Sequence, residues 1–274
     1  MASQDVTSKF LELHLTALEA NAARHNRLLA ALTGWGNKQE DGFLAWTLGE
    51  AGQCAIRTSE RGPIIIGDAD EQQCRELAEQ TLTLDYRVVE GPDRTATWFC
   101  RRAVELGATF ADPIVRRILA LSEWPIYPRA PGHARLAVLE DVEIFVAGMM
   151  EFAREATPDD PPPQRKAMEC ELREGRALFW MRDEEPVAMA AIVRRTRHAA
   201  TISLVYTPPR HRNRGYAGAV TAALVERIYA EGRLIACLYT DLRNPISNHC
   251  YARIGFRPVC DAIFYKKRRY LRQY

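Results

Sequence analysis

The segment LVYTPPRHRNRGYAGAVTAAL, Leu204 to Leu224, brings together residue types that could hold an anion. An apolar run stops at Pro208 and Pro209, and Arg210, His211, Arg212 and Arg214 follow it. Gly215, Ala217 and Gly218 then stand where Tyr216, Val220, Ala223, Leu224 and Ile228 begin one face of a helix. The first amides of a helix lack intrahelical partners, and its dipole adds roughly half a positive charge there. Small residues leave that backbone bare enough for a phosphate to approach. Arg212 and Arg214 add formal charge. A solvated turn could use the same residues, so R-x-x-G-x-A alone decides little; the strand before it and a second segment downstream give it weight.

That second segment is NPISNHCYARIGF, in which Tyr251 lies seven residues after Asn244 and Gly255-Phe256 follow four and five residues later. With Arg212-Asn213-Arg214-Gly215-Tyr216-Ala217 it completes a pair of motifs in a fixed order, separated by a helix and a strand. Residues 131–274 resemble the GNAT superfamily of acetyl-CoA-dependent N-acetyltransferases, whose signature at a strand–helix junction is Q/R-x-x-G-x-G/A. The resemblance implies an α/β (α+β) fold, with a central mixed, mostly antiparallel sheet flanked by helices, and acetyl-CoA as co-substrate.

Carried over by position, the resemblance implies that the backbone of Arg212, Asn213, Arg214, Gly215, Tyr216, Ala217 and Gly218 holds the pyrophosphate. Val205, Tyr206 and Thr207, ending the preceding strand, would pair with the pantetheine arm, the Val205 amide polarising the acetyl carbonyl. Asn244 and Ser247 would meet pantetheine or phosphate, and Tyr251 would sit beside the sulfur as the catalytic residue. A phenol near pKa 10 protonating a thiolate near 8.5 works uphill by roughly 2 kcal/mol, so Tyr251 either has a tuned pKa or mainly donates a hydrogen bond. The alternative for Tyr251 is packing against the last strand.

One position departs from the resemblance. Many GNAT members carry Glu four residues before the position of Val205, and here Thr201 stands there. His198 is a candidate base that also reads as a solvated turn residue, and the spacing of Glu140, Glu143 and Glu151 singles none of them out. Without a strong base the acceptor must already be neutral or lose its proton to water. An α-amino group near pKa 8 is neutral about a tenth of the time at pH 7, a lysine far less often. That favours an α-amino or other low-pKa amine.

The elements that must position these residues follow from periodicity. Leu11, Leu15, Leu18, Ala22, Leu29 and Leu32 fall on one helical face closed by Gly34 and Gly36, with His25 on the seam as a packing residue. Strands are expected at 43–48, 53–58 and 63–67, a helix at 68–80, a strand at 86–91 and a helix at 93–106. SEWPIYPRAPGHAR, 122–135, reads as a domain boundary. Helices at about 139–152 and 164–174, strands at 177–182, 186–195, 200–207 and 234–240, and a helix over 245–254 lead to a last extended stretch. The expected domains are 1–125, an α/β domain read as a degenerate GNAT-like repeat or an unrelated α/β domain, and 131–274. Where the repeat would place its phosphate loop it reads IIIGDADEQ, and Asp68, Asp70 and Glu71 would repel a phosphate, so no cofactor site is expected there.

Bulk properties narrow the class. The chain of 274 residues carries a net charge of +2, with 14 basic against 18 acidic residues in 1–130 and 23 against 17 in 131–274. A basic C-terminal half suits an anionic ligand. Seven cysteines without a C-x-x-C pair fit neither a disulfide framework nor a zinc site, so no metal is expected. No apolar h-region or membrane-length run is present, which makes cytoplasm the default and a membrane partner unexpected. The tail YKKRRYLRQY interleaves basic and aromatic residues, as single-stranded nucleic-acid binders do, but reads better as a solvated strand end. A non-catalytic acyl-CoA sensor is the other alternative. The expected partner is a small-molecule or peptide amine.

Overall fold

A computed structural model describes residues 2–34, 42–157 and 164–268. The chain divides into two units, Met1–Ile118 with Pro258–Tyr274, and Leu119–Arg257.

The first unit begins with α1 (Ala2–Ala20) and α2 (Asn26–Gly34). The single expected seam is therefore two helices, and both contribute to it: Leu18, Ala22, Leu29 and Leu32 are all buried. His25 lies buried in the intervening turn, but it does more than pack, because its Nε2 is 3.1 Å from Asp68. Gly36 lies outside the described residues. The strands β1 (Leu44–Thr47), β2 (Cys54–Arg57) and β3 (Ile64–Ile66) form an antiparallel meander. After α3 (Glu71–Gln80) the chain returns as β4 (Val88–Pro92), parallel to β3, and continues into α4 (Thr95–Glu105). Ile64, Ile66, Leu77, Val89 and Phe99 form the core beneath the two helices.

The chain passes from the first unit to the second inside β5 (Ile114–Leu121). Adjacent arginines in IVRRILAL interrupt its alternation, and periodicity gave no strand there. The short β6 (His133–Leu136), largely exposed, was equally silent. Next come α5 (Val142–Ala156), α6 (Arg165–Arg173), β7 (Ala177–Arg182), β8 (Glu185–Arg195) and β9 (Ala199–Tyr206). These four strands, β6 to β9, pair antiparallel in sequence order. Then α7 (Tyr216–Ala230) carries the chain across to β10 (Ile235–Thr240), parallel to β9, and α8 (Pro245–Ile254) follows. Alternation along β7 sends Leu178 and Trp180 into a core with Val220 and Leu224 of α7. Phe179 and Met181 pack on the other face, with Phe145 and Met149 of α5. The strand–helix–strand order β9–α7–β10 repeats that of β3–α3–β4.

The last strand, β11 (Arg257–Lys266), belongs to the first unit, where it pairs antiparallel with β4 from Ala262↔Pro92 to Lys266↔Val88. Arg117 of β5 grips Asp261 of β11 through two nitrogens, at 2.8 and 3.2 Å.

Candidate functional site

The mouth of α7 has no cap. Gly215 is its N-cap residue at φ +82°, and among the described residues no side chain caps the first turn. The first intrahelical bond there is Ala219 N–H to Gly215 O, at 3.0 Å. Among the described residues, no acceptor meets the amides from Asn213 to Gly218. Asn213 is also left-handed, at φ +61°. Repeated left-handed turns in a short loop gather amide groups into an anion-binding concavity. Side chains close the mouths of α3 and α8, where Asp70 Oδ1 accepts from Gln73 N and Asn244 Oδ1 from Ser247 N, whereas α4, α5 and α6, like α7, have no side-chain cap among the described residues.

A strap read from sequence only as a boundary runs beside this mouth. Ile126 N–H bonds Ile254 O at 2.8 Å, and Trp180 Nε1 bonds Pro131 O at 2.9 Å. Between these anchors Pro128 lies against Gly218, where an added Cβ would come within 2.9 Å of its ring. Close approach is what requires glycine at 218. Tyr216 points the other way. Its buried ring enters the core and its hydroxyl accepts from Arg182 Nη1 at 2.9 Å, so only its backbone serves the mouth.

The neighbouring strands part at the same end. The β9–β10 pairing runs from Ala199↔Ile235 to Ile202↔Leu238 and stops, although β10 continues to Thr240. Where it stops, β9 bulges: Ser203 faces Ala191 and Tyr206 faces Met189, with Leu204 at φ +58°. A branched residue in the left-handed region is strained, and such strain gathers at functional sites. The bulge frees one backbone edge of Val205 and Tyr206, an edge suited to an extended ligand that pairs like a strand. Neither glycine nor proline announces this bulge, so sequence reasoning missed it.

Side chains around the opening are partly committed. Arg212 donates from Nε to Thr207 O at 2.9 Å and from Nη2 to both oxygens of Glu155, at 2.9 and 2.7 Å. The Thr207 carbonyl is therefore taken, while its buried hydroxyl oxygen has no partner among the described residues. Arg214 is exposed and pairs with no carboxylate among the described residues. Arg210 and His211 are drawn away to Glu185. Ser247 bonds Thr240 Oγ1 at 3.0 Å and Asn244 O at 3.1 Å, which fixes the far lip of the opening at the end of β10.

Tyr251 is buried in the same cluster as Tyr216 and Val220, with Val205 packed against that cluster. Burial, with a smaller contribution from the Cys250 thiol, pushes its phenol above the ordinary value of 10. Among the described residues its hydroxyl has no hydrogen-bond partner. Tyr251 is thus a neutral donor. Thr201 is buried and contacts Cys237 Sγ at 3.3 Å. His198 precedes the opposite end of β9, about 20 Å of strand from Val205. Glu143 pairs with Arg165 and Glu151 with Arg154.

In the C-terminal segment, Tyr265 bonds Thr97 and packs on Phe110, and Lys267 sits 3.9 Å from the centre of the Tyr86 ring. These two residues serve the first unit's interior; residues 269–274 of the tail lie outside the described residues. Among the described residues, no cluster of His, Cys, Asp and Glu could hold a metal ion, and no helix is long and apolar enough to cross a membrane.

Residues 180–264 match the family described as FR47-like protein. Among solved structures, the chain is similar to a GCN5-related N-acetyltransferase from Kribbella flavida: 17% identity over 87% of this chain and 95% of that one, TM-score 0.55. A GCN5-related N-acetyltransferase from Sphaerobacter thermophilus matches at 18% identity over 86% and 84%, TM-score 0.54. A tandem GNAT protein from the clavulanic acid biosynthesis pathway matches at 12% identity over 86% of each chain, TM-score 0.50. No curated protein matches the chain. The fold is that of the GCN5-related N-acetyltransferases, as the two sequence motifs implied.

Proposed function

We propose that this protein transfers the acetyl group of acetyl-CoA to a primary amine by direct attack within a ternary complex. The observation that carries the reading is the row of unpartnered amides from Asn213 to Gly218, placed where β9 and β10 part. Acetyl-CoA would supply an activated acyl group and a thiolate leaving group. The amides of 213–218 would hold its pyrophosphate, with Arg214 free to add charge. The freed edge of Val205 and Tyr206 would align the pantetheine arm, and the orphaned Thr207 hydroxyl offers it one more polar contact. The Val205 amide would orient the acetyl carbonyl, and Tyr251 would donate a hydrogen bond at the sulfur. Asn244 and Ser247 would shape the lip opposite β9.

A carboxylate base is missing at Thr201, so the proposed acceptor is an amine of low pKa that enters neutral. The test is a titration with acetyl-CoA followed by an amine screen that reads release of free thiol. Binding with turnover supports the reading. Binding without turnover of any amine leaves an acyl-CoA sensor, and no binding overturns both.

A further inference from the structure

The Arg212 side chain does something the phosphate-loop motif does not require. A guanidinium offers five N–H donors in a fixed fork. In Arg212, Nε holds the end of β9 through Thr207 O, and Nη2 holds both oxygens of Glu155 in the last turn of α5. The guanidinium also lies over the Tyr206 ring, 5.8 Å from its centre. Nη1 meets no carboxylate among the described residues. One side chain therefore joins the loop that begins the open mouth, the strand beside it and the end of a helix on the other face of the sheet.

Arg212 and Glu155 are each about two-fifths exposed, at 41% and 40%. An exposed pair contributes little on its own, because holding two long side chains in one geometry costs entropy. An anion seated on the amides of 213–218 would draw Nη1 and fix Arg212, removing much of that cost. The pair would then tighten as the anion binds, and coupling of this kind is reciprocal.

We propose that Arg212 is a positioning residue whose pair with Glu155 transmits occupancy of the phosphate loop to α5. The proposal rests on the cofactor reading above and extends it to a helix that the cofactor need not touch.

Hydrogen–deuterium exchange on the full chain, with and without saturating coenzyme A, tests it alongside calorimetry. In the wild type, coenzyme A is expected to slow exchange across 142–156 by roughly two- to fivefold. Glu155→Gln should still bind coenzyme A, within about fivefold of the wild-type affinity, but lose that slowing. Glu155→Asp, which keeps the charge on a shorter arm, should recover part of it. Equal slowing in Glu155→Gln, or wild-type binding that leaves α5 exchange unchanged, overturns the proposal while sparing the cofactor site. Absence of coenzyme A binding in the wild type overturns both.

Discussion

The ring of Tyr251 meets that of Phe256 edge-on, with centroids 6.0 Å apart and planes inclined at 66°. Both residues belong to NPISNHCYARIGF, so the segment that supplies the candidate catalytic hydroxyl also supplies the aromatic partner that holds its ring. The two roles of Tyr251, packing and proton chemistry, are therefore separable by removing one oxygen.

Tyr251→Phe keeps the ring contact and should preserve both melting behaviour and coenzyme A affinity. Burial already raises the phenol's pKa, which widens its gap from a thiolate near 8.5 and makes full proton transfer less favourable. The loss should then be that of a hydrogen bond to a charged sulfur, about 10- to 100-fold in kcat with little change in the acetyl-CoA KM. Thiol release with an accepted amine measures it. An unchanged kcat when chemistry is rate-limiting would reduce Tyr251 to a packing residue.

Gly215 tests the open mouth. Its φ of +82° costs an ordinary L-residue roughly 1–2 kcal/mol, and a β-branched side chain more. An added Cβ would meet Ala130 and Arg129 O at 3.5 Å and Pro128 at 3.8 Å, all ordinary contacts, so packing tolerates substitution. Gly215→Asn accepts the left-handed conformation and should fold as the wild type does. Gly215→Val should weaken coenzyme A binding at least tenfold, and more than Gly215→Asn does, as read by calorimetry. Equal affinity across all three proteins would move the phosphate elsewhere.

The sequence revealed this mouth because its requirements are local. A glycine at a left-handed N-cap and small residues behind it leave a legible trace at 215–218. The parting of β9 and β10 does not, because Leu204 adopts a left-handed conformation that its type would not suggest; only the pairing of Ser203 and Tyr206 with β8 reveals the extra residue. The same contrast governs the strands. Ile64–Ile66 and Ala177–Arg182 are apolar runs that announce themselves, whereas the paired arginines of β5 hide it. Membership of β11 depends on its pairing with β4, a long-range fact that no local pattern encodes. Likewise Glu155, one of several charges on α5, gained meaning only when the fold brought Arg212 to it.

One coenzyme A per chain is the expected stoichiometry. At α3 the mouth is filled by a capping box, with Asp70 Oδ1 on Gln73 N at 2.8 Å and Gln73 Oε1 on Asp70 N at 2.9 Å. The strands beside it stay close, since a Cβ on Gly91 would lie 3.3 Å from Ile66 O. The full chain is the proper material, because a fragment ending at 125 would lack β11. Calorimetry resolving a second site that persists in Gly215→Val would contradict the capping argument.

Acid should destabilise the first unit through two groups whose pKa values fall on folding. Asp68 is held down to about 2, first by its hydrogen bond from His25 and then by Arg24, which also bridges to Asp93. A depressed carboxylate contributes stability that is complete above its unfolded value near 3.9 and is lost as pH falls towards 2. The side chain is 44% exposed, so solvent screening reduces the contribution well below what the shift alone suggests. His14 acts higher on the scale. It is fully buried, with Nδ1 accepting from Gly52 N at 3.0 Å and Nε2 2.9 Å from Thr47 Oγ1, and burial lowers its pKa from 6.5. An unfolded chain binds that proton first, so stability should begin to fall below about pH 6.5 and fall further between 4 and 2. Melting curves of the wild type from pH 7 to 2.5 should show both limbs. Asp68→Asn should melt lower at pH 7 yet lose less on acidification below pH 4, and equal losses in the two proteins would remove Asp68 from the account of acid sensitivity.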